Sequence, residues 1–415
     1  MAVIFHSDLN NFYASCECLV RPELQGLPVV VCGKIEDRHG IVLAKNYMAK
    51  EAGVKTGMTL FEAEKLVPNL QEVVANHDLY LKYSKLVKQI YYDYTDRVES
   101  FGIDEAWLDV TESVRLFGGA EKLATIIKDR IKNEIGLTVS IGVSFNKIFA
   151  KLGSDLKKPD AVSVISEDNY KDIVWKLPIN ALLYVGKKTE KKLNELGIWT
   201  IGAIANFDVN ILKAKLGKWG EMLYAYANGL DSSPVLKYGE VGEMKSVGNS
   251  VTYYRDLEDI EDIKALIYIL AESVSYRMKK HSVGRAKTLH LSITDNNLER
   301  FGKQCSFNVP TNISSVIAKT AIKCFNENFS GINRIRGIGI SVCNFVQEEQ
   351  LLIGVDQQKN EKLQKLDCAI EDIRRRFGRR SVSRALTIVD KRMQDIEVNG
   401  ANITSHTLDG IKGKH

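Results

Sequence analysis

Three acidic side chains pose the first chemical question. The stretch Val98-Glu99-Ser100-Phe101-Gly102-Ile103-Asp104-Glu105-Ala106-Trp107-Leu108-Asp109-Val110 reads as two short strands that reverse at Gly102-Ile103. β-prone residues flank a glycine that permits a tight turn. Asp104 and Glu105 then lie just past the reversal. Neighbours in a regular strand point to opposite faces, so this pair converges only where the hairpin end twists. A third candidate, Asp8, closes the strand Ala2-Val3-Ile4-Phe5-His6-Ser7-Asp8. If the two strands adjoin in one sheet, Asp8, Asp104 and Glu105 form a cluster that repels itself unless protons or hard cations neutralise it. Oxygen-only ligation suits magnesium, and two such ions can clamp an in-line phosphoryl displacement. An acidic pair after a turn also reads as a solvated loop, so the surrounding chain has to decide.

The elements that would carry this cluster follow in order. Asn10 is the expected cap of a helix through Glu17, with Phe12, Tyr13 and Cys16 on one face. Short strands at 28–32 and 40–44, a helix at 45–51 ended by Gly53, and a helix capped by Thr59 make a small α/β insert. A long amphipathic helix over 79–94 precedes the acidic hairpin. A helix at 121–135 ends at Gly136, a strand covers 137–144, and a basic helix runs from Asn146 to Leu156 before Lys157-Lys158-Pro159. This order predicts an antiparallel sheet backed by helices, an α+β arrangement rather than a doubly wound one.

From residue 168 the pattern turns helical. A basic turn, Tyr184-Val185-Gly186-Lys187-Lys188, precedes a helix over 189–198 and another opening at Thr200. This has the form of a helix–hairpin–helix, in which Gly186, Lys187 and Lys188 can hold a phosphate without reading sequence; an ordinary helical hairpin has the same outline. Residues 237–246 read as a linker. A second α/β unit follows, with four strands and two helices. Leu289, Leu291 and Ile293 alternate with Thr288, His290 and Ser292, and Val247 and Val251 with Ser246, Ser250 and Thr252. Phe307 and Val309 oppose Gln304, Ser306 and Asn308. One face is thus apolar and the other a neutral sheet of hydroxyls and amides, suited to hydrogen bonds with a sugar-phosphate backbone and equally to plain solvation. The tail, 347–415, holds a helix with Leu363, Leu366, Ile370, Ile373 and Phe377 on one stripe, and reads as disordered from Asp395.

Composition narrows the class. The 415 residues are 45% hydrophobic and 26% charged, the profile of an ordinary globular chain with several domains. The opening apolar run stops at His6-Ser7-Asp8, short of a signal sequence, and no run approaches a membrane span, so the expected location is cytoplasmic. Seven cysteines without a Cys-x-x-Cys pair predict reduced thiols and no zinc site. Residues 1–166 carry 20 basic and 22 acidic side chains and the remainder 37 and 30, which fits metal chemistry at one end and a polyanion grip along the other.

These separate readings meet in a resemblance. Asp8-Leu9-Asn10-Asn11-Phe12-Tyr13-Ala14-Ser15-Cys16-Glu17, Ala44-Lys45-Asn46-Tyr47-Met48-Ala49-Lys50, Gly102 through Asp109, and Asn146-Lys147 through Lys157-Lys158-Pro159 resemble, in order and spacing, the signature blocks of Y-family translesion DNA polymerases. The likeness is greatest to the bacterial DNA polymerase IV group, with a polymerase V-like block at 12–17, and covers about residues 1–346. It implies an α+β, multidomain, right-handed fold. Its parts would be an antiparallel-sheet palm (1–10 and 77–166), small fingers (11–76), a helical thumb (167–236), a linker (237–246), an α/β little finger (247–346) and the tail. It implies template-directed, low-fidelity synthesis past lesions, on primer-template DNA with deoxynucleoside triphosphates, by a monomer with no segment left over for a proofreading exonuclease. Asp8, Asp104 and Glu105 match the catalytic carboxylates, with Leu9 as a further ligand to two Mg2+. Tyr13 matches the steric gate against a 2′-hydroxyl. Tyr47, Lys50 and Lys158 match the triphosphate grip, cations being well placed to answer charge developing on the phosphates. The thumb turn and the polar sheet face, with Ser250, Thr252, Thr288, His290, Ser292 and Ser306, become DNA contacts. Gln350-Leu351-Leu352-Ile353 loosely resembles a sliding-clamp-binding peptide. Several positions depart from the pattern: Asn10 stands where an acid is frequent, Gly102 for Ser, Lys50 for Arg and Ala44 for Thr. Lysine is a point charge rather than a bidentate fork. Two rival readings stay open, a catalytically weak DNA-binding relative and a nucleotide cyclase.

Overall fold

The computed structural model describes residues 2–33, 40–238, 240, 244–329, 331–332, 334–347, 357–378, 381–388, 390, 392–393 and 396. They divide into two compact units, one built from the chain up to Tyr238 and one from Met244 onward. In chain order the first unit contains β1 (Ile4–Leu9), α1 (Phe12–Val20), β2 (Val29–Cys32), β3 (Val42–Lys45), α2 (Tyr47–Glu51), α3 (Leu60–Leu66), β4 (Gln71–Val74) and α4 (His77–Tyr92). It continues with β5 (Val98–Phe101), β6 (Glu105–Asp109), α5 (Ala120–Ile135), β7 (Val139–Ser144), α6 (Lys147–Leu156), β8 (Val162–Val164), α7 (Tyr170–Ile173), α8 (Lys187–Asn194), α9 (Ile201–Ala205), α10 (Val209–Leu216) and α11 (Lys218–Ala227). The second unit holds β9 (Ser246–Leu257), α12 (Ile260–Lys280), β10 (Arg285–Asp295), β11 (Arg300–Thr311), α13 (Ser314–Asn328), β12 (Ile335–Val346), α14 (Gln357–Phe377) and α15 (Ala385–Ile388).

The first sheet runs β5-β6-β1-β7-β8. Every pairing is antiparallel except β7 with β8, a parallel edge strand absent from the sequence reading, so the sheet is mixed. β1 is central and buried at every residue. On one face lie Phe5 and Ser7; Ser7 accepts from the Tyr91 hydroxyl of α4 at 2.8 Å. α5 is buried along Leu123, Ala124, Ile127 and Ile131, the spacing of one helical stripe. On the other face lie His6 and Asp8, and α6 packs there. A Cβ at Gly142 of β7 would overlap the Ala150 carbonyl, and one at Gly153 would come within 3.0 Å of the Gly142 Cα, so glycine at both positions lets helix and strand approach closely. α6 also faces a helical core: Ile148, Phe149 and Leu152 pack with Ile165, Val174, Leu182, Ile201 and Leu212. The insert holds the three-stranded sheet β3-β2-β4, its last strand also unpredicted. Asn46 ties it together, accepting from Ala49 N at 3.0 Å and Val29 N at 3.1 Å and donating to the Leu27 carbonyl at 2.7 Å.

The expected linker starts on the first unit rather than free of it: Tyr238 N donates to the Asp96 carbonyl at 2.8 Å and its ring meets Tyr92 edge-on. The second unit's sheet, β11-β10-β12-β9, is antiparallel throughout. Leu289, Leu291, Ile293, Ile338, Ile340 and Val342 make its buried face, in one core with α12 and α13. One expectation fails here. Cys305 of β11 and Cys324 of α13 form a disulfide, so not every thiol is free; strand and helix pack with their Cα atoms 6.6 Å apart. α14 leaves part of its apolar stripe uncovered, since Leu366, Ile373 and Phe377 are exposed. The helix is held instead by ions: its Arg374 binds Glu272 at 2.9 Å and its Glu371 binds Lys279 at 2.9 Å, while Arg384, beyond the helix, joins Glu272 at 2.6 Å. Buried Asp367 accepts from Ser314 N at 2.9 Å and from its hydroxyl at 2.7 Å, capping α13 from outside. Gln350–Ile353 lies outside the described residues, as does nearly all of the chain from Asp395.

Replacing Asp367 by Ala leaves the Ser314 amide and hydroxyl without acceptors, at a cost of about 1–3 kcal/mol. A thermal melt of the Asp367→Ala protein should show a clear loss of Tm, whereas Phe377→Ser, at an exposed site, should melt as the parent does.

Candidate active site

Strand register brings the acids together. Asp8 of β1 stands directly opposite Glu105 of β6, and cross-strand partners share a face with Cβ atoms roughly 5 Å apart. Asp104 is not in the strand. It sits in the turn after Gly102, which takes φ 86° and so accounts for glycine there. The turn is tied down twice: Leu9 N donates to the Asp104 carbonyl at 3.0 Å, and the Ser84 hydroxyl of α4 donates to the Ile103 carbonyl. Adjacent residues thus serve one site because the first lies in the turn and the second in the strand.

The electrostatics follow from that crowding. Burial, then the charges of Glu105 and Asp8, push the Asp104 carboxyl up to about 7. Burial and Glu105 also raise Asp8, against Lys158 and Lys151. Lys151 Nζ lies 2.9 Å from Glu105, 3.6 Å from Asp8 and 3.3 Å from Asp155. Lys158 Nζ is 2.9 Å from Asp8 and 2.8 Å from Asp155. Burial would lower both ammonium groups, but the carboxylates around them outweigh it and hold them above their ordinary value. His6, fully buried, shares a hydrogen bond with Ser154 at 2.8 Å, and its Nε2 lies 3.4 Å from Glu105. Burial, then Lys151, drives it well below its usual value, so it is neutral.

Among the described residues no group of three His, Cys, Asp or Glu side chains is gathered closely enough to hold a metal ion as it stands. The two lysines of the α6 segment already neutralise Asp8 and Glu105. The donor set still fits a hard divalent cation. It is oxygen-rich, and burial and the neighbouring acids raise the Asp104 carboxyl against Lys151.

The other expected residues are distributed as follows. Tyr13 on α1 is half-buried; burial, then the Asp104 charge, pushes its phenol up to about 12. Tyr47 feels Lys158 and Asp8, and Lys50 Nζ lies 5.4 Å from the Tyr47 ring centre. Asn10 does not cap α1; buried, it donates to Ser140 at 3.0 Å and accepts from Asp160 N at 2.9 Å, which fastens the loop bearing Lys158. Gly186, Lys187 and Lys188 are exposed, and α8 begins at Lys187, earlier than expected. In the second unit Ser250, His290 and Ser306 are exposed and Thr252 and Ser292 half-buried, but Thr288 is buried and accepts from Asn344 at 3.0 Å. A bulge between Ala286 and Thr288 shifts the register there. Lys151 and Asp155 were missed, although Lys151, Asp155 and Lys158 recur at the spacing of one helix face.

The impB/mucB/samB family profile matches residues 7–155, its C-terminal domain 244–355, and a DNA polymerase-iota thumb domain 182–231. The chain is 50% identical over 397 residues to a DNA polymerase IV of Acetivibrio thermocellus, covering 95% of this chain and 99% of that one. It is 34% identical to DNA polymerase IV 1 of Bacillus subtilis, covering 93% of each. The chain belongs to the Y family of DNA polymerases. A solved Y-family polymerase chimera superposes with a TM-score of 0.72 at 26% identity, over 83% of this chain and all of that one. An insertion ternary complex of Dbh DNA polymerase gives 0.60 at 25% identity with the same coverage. The fold is the α+β, multidomain Y-family one, with thumb and little-finger domains. Members are generally divalent-metal dependent. Among the described residues no helix is long and apolar enough to cross a membrane.

Asp104 is an acid whose folded pKa exceeds its unfolded one, so without metal it takes up a proton on folding and weakens the fold as pH rises from about 4 to about 7. Metal-free Asp104→Asn should therefore melt above the parent at pH 8 and together with it at pH 4, as thermal scans at both pH values will check.

Proposed function

We propose that Asp8, Asp104 and Glu105 form a two-cation nucleotidyl-transfer centre in this DNA-directed, translesion DNA polymerase. The observation that carries the reading is the register that sets Asp8 opposite Glu105 with Asp104 at the adjoining turn. Two Mg2+, when bound, would lower the pKa of a primer 3′-hydroxyl and hold the triphosphate and departing pyrophosphate. The chain's own part is to present acidic oxygens, with Leu9 at the strand end, and to keep His6 neutral. Lys158, Tyr47 and Lys50 would grip the triphosphate; Lys50 acts as a mobile point charge where a forked guanidinium is usual. Tyr13 would lie under the sugar and exclude a 2′-hydroxyl.

Duplex contacts are proposed at two places. Lys187 and Lys188 in the first turn of α8 set positive charge on the positive end of the helix dipole, an arrangement that a phosphate relieves. The polar sheet face is shallow: the aligned rows His290–Ser341–Gly248 and Gly302–Ser292–Gly339–Ser250 place three glycines among short polar side chains. A sugar-phosphate backbone can approach such a face closely without base readout. Thr288 is dropped from it because its hydroxyl is already engaged. Palm, fingers, thumb and little finger are assigned to the ranges expected from the sequence, with the little finger starting at Ser246. We further propose a monomer in the cytoplasm, and a sliding-clamp contact at Gln350–Ile353 that rests on the sequence alone.

Primer extension with Mg2+ on undamaged and abasic templates should give a product ladder on both; binding without a ladder would instead indicate the non-catalytic relative, and a cyclic product from free nucleotide the cyclase. Asp104→Ala should abolish extension while primer-template affinity in a gel-shift titration stays within about twofold, since it removes a metal ligand and no DNA contact. Retained synthesis would remove the metal assignment.

A further inference from the structure

A buried carboxylate close to the nucleotide end of the palm takes no part in the chemistry above. Glu17 has no exposed surface, a placement that is costly for a charge unless it is well bonded. Its Oε1 accepts a hydrogen bond of 2.7 Å from the Tyr80 hydroxyl of α4, and Arg21 lies 3.6 Å from its other oxygen. Tyr80 is also fully buried, and its hydroxyl accepts from Asn76 N at 3.1 Å. The other end of the Tyr80 side chain lies against the gate residue. The rings of Tyr80 and Tyr13 stack with centres 4.1 Å apart and planes 11° from parallel. His77 sits edge-on to both rings, at 5.9 Å from Tyr13 and 5.8 Å from Tyr80.

Tyr13 and Glu17 are four residues apart on α1, so they share a helix face. Tyr80 bridges them, its ring on Tyr13 and its hydroxyl on Glu17. We propose that Glu17, through Tyr80, is a positioning residue that fixes the plane of the Tyr13 ring and so sets how strictly the enzyme rejects ribonucleotides. The inference rests on the reading of Tyr13 as the sugar gate. A stacked ring alone leaves its neighbour free to slide or tilt. Pinning the far end of Tyr80 at two points, a carboxylate and a main-chain amide, removes that freedom. Burial and the bond to Glu17 hold the Tyr80 phenol far above its ordinary range, so it stays a donor at any working pH. A 2′-hydroxyl is small, and a gate that shifts by a fraction of an ångström would admit it.

The test is single-nucleotide incorporation by the full chain, read as the ratio of kcat/KM for a deoxynucleoside triphosphate to that for its ribonucleotide. Tyr13→Ala should lower the ratio most. Tyr80→Phe, which keeps the ring, and Glu17→Ala should each lower it about five- to tenfold, the worth of one buried hydrogen bond. Glu17→Gln, still an acceptor, should restore the ratio to within about twofold of the parent. In a Tyr13→Ala background Tyr80→Phe should change nothing further, because it acts only through the ring that is gone. An unchanged ratio in Tyr80→Phe beside a collapsed one in Tyr13→Ala would overturn the proposal and leave the gate standing. An unchanged ratio in Tyr13→Ala would remove the gate and the proposal together. A melt of each variant separates misfolding from altered selection, and Tyr80→Phe, which alters one atom, keeps the test decisive if Glu17→Ala does not fold.

Discussion

The whole site depends on one strand pairing. β1 lies between β6 and β7, and its register against β6 decides that Asp8 faces Glu105 rather than the apolar side of the sheet. A slip by one residue would turn Asp8 towards α4 and α5 and bring Ser7 into the site. The register is secured on the buried side by Phe5 and by the Tyr91–Ser7 hydrogen bond. On the reactive side it is secured by His6, whose ring meets Trp107 edge-on at 5.3 Å. Chemistry at the strand end is therefore paid for by packing along the strand.

Gathering three carboxylates creates the second constraint, which α6 answers. Lys151 and Lys158 reach Asp8 and Glu105 because the helix is pressed against β7 across Gly142 and Gly153. Its start is fixed from both directions: the Trp107 indole donates to the Lys147 carbonyl at 2.9 Å, and Lys147 binds Glu99 at 2.7 Å. The opposite face of α6 belongs to the thumb core. One helix thus carries Lys151, leads into the segment that bears Lys158 and anchors the thumb, so a change of charge among the acids bears directly on the element that joins them. On the proposed function, Lys151 and Lys158 would be available to the phosphates of an incoming nucleotide once divalent cations neutralised Asp8 and Glu105.

Much of this was legible in the sequence, and the failures have physical causes. The turn at Gly102, the capping residue Thr59 and the apolar face Leu289, Leu291 and Ile293 of β10 read correctly because each is a local pattern with a local energy. The edge strands β4 and β8 were invisible: four and three residues long, they have no periodicity to detect and exist because a neighbour offers hydrogen bonds. The α14 stripe says only that a face could be buried, while the ion pairs to Glu272 and Lys279 help decide how the helix lies. Thr288 keeps the phase of the polar face but is buried and bonded to Asn344, which no alternation rule sees. The meeting of Asp8 with Glu105 beside the Asp104 turn was legible from strand order and resemblance, whereas Lys151, Asp155 and the Glu17–Tyr80 contact needed the third dimension. Each joins side chains that only the fold brings together.

The central claim is that lysine-neutralised carboxylates at the end of β1 give way to paired divalent cations when nucleotide binds. Anomalous scattering from a crystal of the full chain soaked with Mn2+ and a non-hydrolysable deoxynucleoside triphosphate tests it most directly. The account predicts two anomalous peaks among Asp8, Asp104 and Glu105, with the Lys151 and Lys158 ammonium groups withdrawn from Asp8 and Glu105. A map with nucleotide bound, no peak at these acids and both lysines still paired to them would contradict it.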